Sequence, residues 1–173
     1  MKKVIVPIVA LAMAVLAIYA MAQAPTYIGA QKCAMCHKAE KTGAQYPKWA
    51  ASKHAKSFAN LSSPQAAEAA KAMGVDKPAE DPKCLKCHGP LAETAPALKA
   101  EGVSCETCHG AGSEYKTMAI MKVQADAIKK GLTAYPNAEA IKAQCLTCHD
   151  NAHNKAFDFA AYWELTKHPV PGK

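Results

Sequence analysis

This 173-residue chain contains no arginine; all 21 of its basic residues are lysine. That excludes a site built on bidentate recognition of phosphate, which needs the planar guanidinium fork. Aromatic residues make up only 6% of the sequence, so few large side chains are available to fill an interior. After residue 24 no apolar run is long enough to cross a bilayer. Only three histidines, and no cysteine, fall outside the motifs described next.

Four copies of Cys-x-x-Cys-His are present: Cys33-Ala34-Met35-Cys36-His37, Cys84-Leu85-Lys86-Cys87-His88, Cys105-Glu106-Thr107-Cys108-His109 and Cys145-Leu146-Thr147-Cys148-His149. Each is the attachment signature of a c-type haem. Two thiols three residues apart can add to the two vinyl groups of one porphyrin, and the histidine that follows is held under the iron as its proximal ligand. Zinc cages or disulfides could use the same cysteines, but both leave the four adjoining histidines unexplained. The motifs therefore imply four covalently bound haem c groups.

The N-terminus sets the compartment. Lys2 and Lys3 precede an apolar run over residues 4–19, and Ala22-Gln23-Ala24 forms a small-x-small cleavage site. Residues 1–24 read as a secretory signal and 25–173 as one tetrahaem domain, with membrane attachment only if the signal stays uncleaved. Export suits haem that is attached outside the cytoplasmic membrane. The formal charge of +7 is a poor guide to partners, because haem propionates offset it and leave the loaded protein about neutral. Nucleic-acid binding is not implied.

Turn and cap signals predict a mainly α fold with little regular sheet. Helices are expected over 46–60, 65–73, 117–130 and 157–168, with Asn137 capping the helix that delivers the fourth motif. The Gly110-Ala111-Gly112 segment suggests backbone passing close to a porphyrin. With so few large apolar residues, the haems must supply much of the core, and the haem-free chain is expected to be largely unfolded.

A haem iron also has a distal position, whose occupant decides what it does: bis-His irons transfer electrons, Met raises the potential, and an empty position invites small molecules. The candidates are His54, His153 and His168. His153 lies too near His149 to reach the far side of the same haem, so a neighbouring haem is its natural target. Three histidines cannot complete four irons. The fourth distal ligand is Met121 or Met118, a residue of a neighbouring subunit, or nothing.

The chain resembles the tetrahaem cytochrome c-554 family. The resemblance rests on Tyr27-Ile28-Gly29-Ala30-Gln31-Lys32-Cys33, on Trp49 followed by Ser52-Lys53-His54-Ala55-Lys56, and on Gly102-Val103-Ser104 running into the third motif and Gly110-Ala111-Gly112. It implies a helical fold with haems in close, partly stacked pairs, a distal-ligand role for His54, and one five-coordinate iron. This chain departs from the family in residues 113–118, which lack the histidine found there in the family.

The leading functional reading is an exported electron carrier of the periplasm or cell surface, passing electrons between respiratory redox proteins rather than acting as an enzyme. Lysine pairs such as Lys53/Lys56, Lys83/Lys86 and Lys129/Lys130 would face acidic partners. The alternatives are a haem enzyme or sensor for a small nitrogen oxide or peroxide at one open iron, and a subunit of an extracellular cytochrome filament.

Overall fold

The computed structural model describes residues 24–150, 153 and 155–168; the expected signal segment lies outside them, apart from Ala24. Nine short α-helices form among the described residues, and no strand. In order they are α1 (Ala30–His37), α2 (Gln45–Ala51), α3 (Pro64–Ala72), α4 (Pro82–His88), α5 (Cys105–His109), α6 (Met118–Met121), α7 (Gln124–Lys129), α8 (Ala138–Leu146) and α9 (Phe159–Thr166). The protein is mainly α, as its cap and turn residues predict.

Local sequence explains most boundaries. Ser63 accepts from the Ala66 N–H at 3.1 Å with Pro64 in the first turn of α3. Asp81 accepts from Lys83 N–H ahead of Pro82 in α4. Asn137 caps α8 through Ala140 N–H, and Asp158 caps α9 through Ala161 N–H. Each cap satisfies a donor that the helix itself leaves open.

Two expected helices are interrupted. The one predicted over 46–60 stops at Ser52, where the backbone turns extended, and the chain passes His54 in a series of turns. The one predicted over 117–130 breaks at Val123, whose extended backbone separates α6 from α7. In the first case Val103 N–H bonds the His54 carbonyl at 3.0 Å and Ser57 Oγ at 3.0 Å, so a long-range partner replaces the next helical turn.

The interior holds little hydrocarbon. Among the described residues the buried apolar ones are Ala30, Ala34, Leu61, Ala70, Val75, Leu91, Tyr115 and Ala127, half of them alanine. The largest fully buried side chain is a carboxylate, Glu106. It accepts from Gly29 N–H at 2.8 Å, from Gly112 N–H at 2.7 Å and from Ile28 N–H at 3.0 Å. Glu101 takes the neighbouring Ala30 N–H at 3.0 Å. Gly29, with φ +84°, has no side chain to cap α1, and these two distant carboxylates do so instead.

The glycines after the third motif serve the same junction. A Cβ on Gly112 would sit 3.0 Å from a Glu106 oxygen, and one on Gly110 would sit 2.7 Å from the Gly131 carbonyl. Close approach of protein backbone and of the carboxylate is what requires glycine there.

Two outcomes follow from this interior. Haem-free chain, made by blocking attachment, should show little helix by far-ultraviolet circular dichroism, whereas loaded protein should show the strong helical signal of a mainly α fold. Glu106→Ala should cost about 3–5 kcal/mol, because it strands buried N–H donors. This would appear as a lower guanidinium midpoint, with Glu106→Gln falling between it and the parent.

Candidate haem centres

Each Cys-x-x-Cys-His motif lies on or at the end of a helix. The first ends α1, the second ends α4, the third is α5 itself, and the fourth leaves the last turn of α8. Spacing of i, i+3 on a helix puts both thiols of a motif on one face. All eight cysteines are free thiols, Cys33, Cys36, Cys84, Cys87, Cys105, Cys108, Cys145 and Cys148. Among the described residues no group of three or more His, Cys, Asp or Glu side chains gathers to hold a bare metal ion.

Thiol contacts show which motifs adjoin. Cys33 and Cys105 share a hydrogen bond, joining the first motif to the third. Cys87 and Cys148 do the same for the second and fourth. The Cys33 bond and burial push the Cys105 thiol well up. Burial pushes Cys87 and Cys108 up to about 11, so before attachment these thiols are protonated at neutral pH. An opening of about 320 Å³ lies among the later three motifs, lined by Lys86, Leu91, Thr107, Thr147 and Cys148 among others.

The histidine rings face one another across the sequence. His54 lies opposite His149 with centroids 6.2 Å apart, His88 opposite His153 at 6.2 Å, and His109 opposite His168 at 6.0 Å. One metal ion bound by two imidazoles at about 2 Å each needs ring centroids about 6 Å apart. All three separations fit. Burial lowers the pKa of His54, His109 and His168, favouring the neutral imidazole that can bind a metal. His168 Nδ1 is buried with no hydrogen-bond partner. The residues fit haem c, with two thiols and a proximal histidine from each motif.

His37, the remaining histidine, has no ring opposite it; all seven histidines are among the described residues. Met118 and Met121 are the terminal residues of α6; Met118 is 62% exposed and Met121 half-buried.

Several supporting residues had no obvious mark in the sequence. His37 Nδ1 meets Gln45 Oε1 at 3.3 Å, and His88 Nδ1 meets the Ser57 carbonyl at 3.0 Å. The His109 ring donates to the Thr133 carbonyl. Such acceptors fix which ring nitrogen faces a metal. His149 instead stacks on Phe157, centroids 4.5 Å apart and planes 14° from parallel. Tyr115 donates to the Gly110 carbonyl at 2.8 Å and Tyr135 to the Cys108 carbonyl at 2.7 Å. Burial holds Tyr135 at about 12 and raises Tyr115 as well, so both phenols stay donors.

Residues 32–110, spanning the first three motifs, match the family model described as cytochrome c554 and c-prime. Over these residues the chain is similar to the cytochrome c-554 family. It is similar to the cytochrome c-554 of Nitrosomonas europaea, with 29% identity over 147 residues, covering 75% of this chain and 60% of that protein. No solved structure matches it. This is therefore a c-type cytochrome with covalently bound haem c. Among its described residues no helix is long and apolar enough to cross a membrane.

The ring geometry predicts the effect of removing each distal histidine. His54→Ala, His153→Ala and His168→Ala should each convert one low-spin iron to high-spin in the electron paramagnetic resonance (EPR) spectrum. Added imidazole should restore the low-spin signal in each variant.

Proposed function

We propose that this cytochrome is an exported electron-transfer protein, one domain over residues 25–173 carrying four haems. The observation that carries the reading is the set of three histidine pairs at 6.0–6.2 Å, each joining a motif histidine to one from elsewhere in the chain. A haem iron between two imidazoles supplies a one-electron couple with no site free for substrate.

The chain's own residues hold that arrangement still. Ser57, Gln45 and Thr133 orient three proximal rings, while Phe157 packs on the fourth. Contacts from first to third motif and from second to fourth keep the cofactor sites close, which tunnelling between them requires. Protein supplies position and local charge, and the cofactor supplies the redox chemistry.

Partners on this reading are redox proteins. Lys53 and Lys56 are exposed on either side of His54, and Lys83 and Lys86 are exposed around the second motif. Together they offer an acidic donor or acceptor a positive approach to two of the sites. Residence outside the cytoplasmic membrane follows from the signal in residues 1–24.

The test combines mass and voltammetry. The mature protein should weigh as a chain beginning at Pro25 plus four haems. Adsorbed on an electrode it should give reversible waves summing to four electrons, with no added current from nitrite, hydroxylamine or peroxide. A mass short of four haems, or a catalytic wave with any of these, would overturn the reading.

A further inference from the structure

Ser57 differs from the other residues that steady a proximal ring. Its carbonyl meets His88 Nδ1 at 3.0 Å, and it stands three residues after His54, whose ring faces His149. A carbonyl only accepts, so His88 is protonated on Nδ1 and presents Nε2 to a metal. One residue therefore adjoins the proximal ligand of the second motif and the facing ring of the fourth.

The side chain of Ser57 ties the two together. Its hydroxyl lies 2.8 Å from the His54 carbonyl and 3.0 Å from the His88 carbonyl, and it accepts from Val103 N–H at 3.0 Å. A hydroxyl has a single proton to donate, so the two carbonyls share it. Whatever draws the hydroxyl toward one ligand-bearing residue loosens its hold on the other. The crossing is tight: a Cβ on Gly102 would come within 2.5 Å of both Ser57 Oγ and the His54 carbonyl.

The turn does not depend on that hydroxyl alone. The His54 carbonyl also accepts from Ser57 N–H at 3.2 Å and from Val103 N–H at 3.0 Å. Trp49 Nε1 donates to the Val103 carbonyl at 2.8 Å. These bonds survive removal of the hydroxyl, and what is lost is the link between His54 and His88.

That link bears on redox behaviour. A carbonyl drawing on the Nδ1 proton makes an imidazole a richer donor to iron, which favours the ferric state and lowers the potential. The plane of a facing ring is set by the backbone that carries it. Ser57 reaches the first property through its own carbonyl and the second through the carbonyl of His54.

We infer that Ser57 is a positioning residue for two haems at once, fixing His88 and His54 through one hydroxyl so that the potentials of the second and fourth haems are set together. The inference rests on the reading that the motifs carry haems with the facing histidines as ligand pairs, and adds to it the residue that joins two of those sites.

The experiment uses the purified, fully loaded protein, with its haems counted by mass. His153→Ala and His54→Ala first identify the low-spin EPR signals of the second and fourth haems by their loss. In Ser57→Ala both of those signals should move in g-value. Stepwise reduction, followed through the loss of each signal, should show the second haem's potential raised and the fourth's displaced with it. The remaining signals should keep their parental values. Ser57→Thr retains the hydroxyl and should restore g-values and potentials, while Ser57→Val, of the same shape without it, should not. The threonine–valine comparison carries the test if the alanine variant fails to load haem.

Movement of one signal only, of none, or of every low-spin signal alike would overturn the inference and leave electron transfer standing. So would a valine variant that behaves as the threonine one does. A parent mass short of four haems, or a His54→Ala protein with all its low-spin signals intact, would instead strike the reading on which the inference rests.

Discussion

A single buried carboxylate organises the N-terminal half of this protein. Glu106 lies between the two cysteines of the third motif and binds the backbone N–H groups of Ile28, Gly29 and Gly112. Glu101 extends the same grip to Ala30. The first helix therefore starts where the third motif allows it to, and the Cys33–Cys105 contact follows. A charge this deeply buried is tolerable only because its oxygens are filled by fixed backbone donors. In a chain with so few large buried side chains, directional bonds of this kind take the place of apolar packing in setting register.

The second organising element is the turn that carries His54. His54 presents its ring to His149, while Ser57, three residues on, gives its carbonyl to His88 Nδ1. Ser57 Oγ meets the His88 carbonyl at 3.0 Å and accepts from Val103 N–H at 3.0 Å. Gly102 is obligatory at this crossing, because a Cβ would approach the His54 carbonyl to 2.5 Å and the backbone is at φ +67°. One stretch of irregular chain thus sets the second motif, the fourth motif and the approach to the third. This is why the helix expected through residue 60 ends early: its backbone groups are committed to remote partners.

Much of this was legible in the sequence, for identifiable reasons. Cys-x-x-Cys-His is a local pattern and needs no tertiary information. Ser63, Asn137 and the tail helix could be read because caps act within a turn or two of the residue that makes them. The rarity of histidine made His54, His153 and His168 conspicuous. Which ring faces which could not be read, because each pair closes over a loop whose path depends on the whole fold. Glu106 carries no local mark of burial, because the backbone donors that hold it come from residues 28, 29 and 112. Gln45 and Ser57 act through ordinary amide and backbone groups, which no residue-type pattern marks.

The order of the rings along the chain has a consequence for biosynthesis. Every attachment cysteine lies at or before residue 148, yet two of the three facing rings come from His153 and His168, beyond the last motif. A chain cut short just after the fourth motif would keep every residue needed to take up haem, and so full colour. It would nevertheless lack the rings opposite His88 and His109. In this protein pigment content and correct assembly are separable, and only the tail distinguishes a finished molecule from one that merely looks finished.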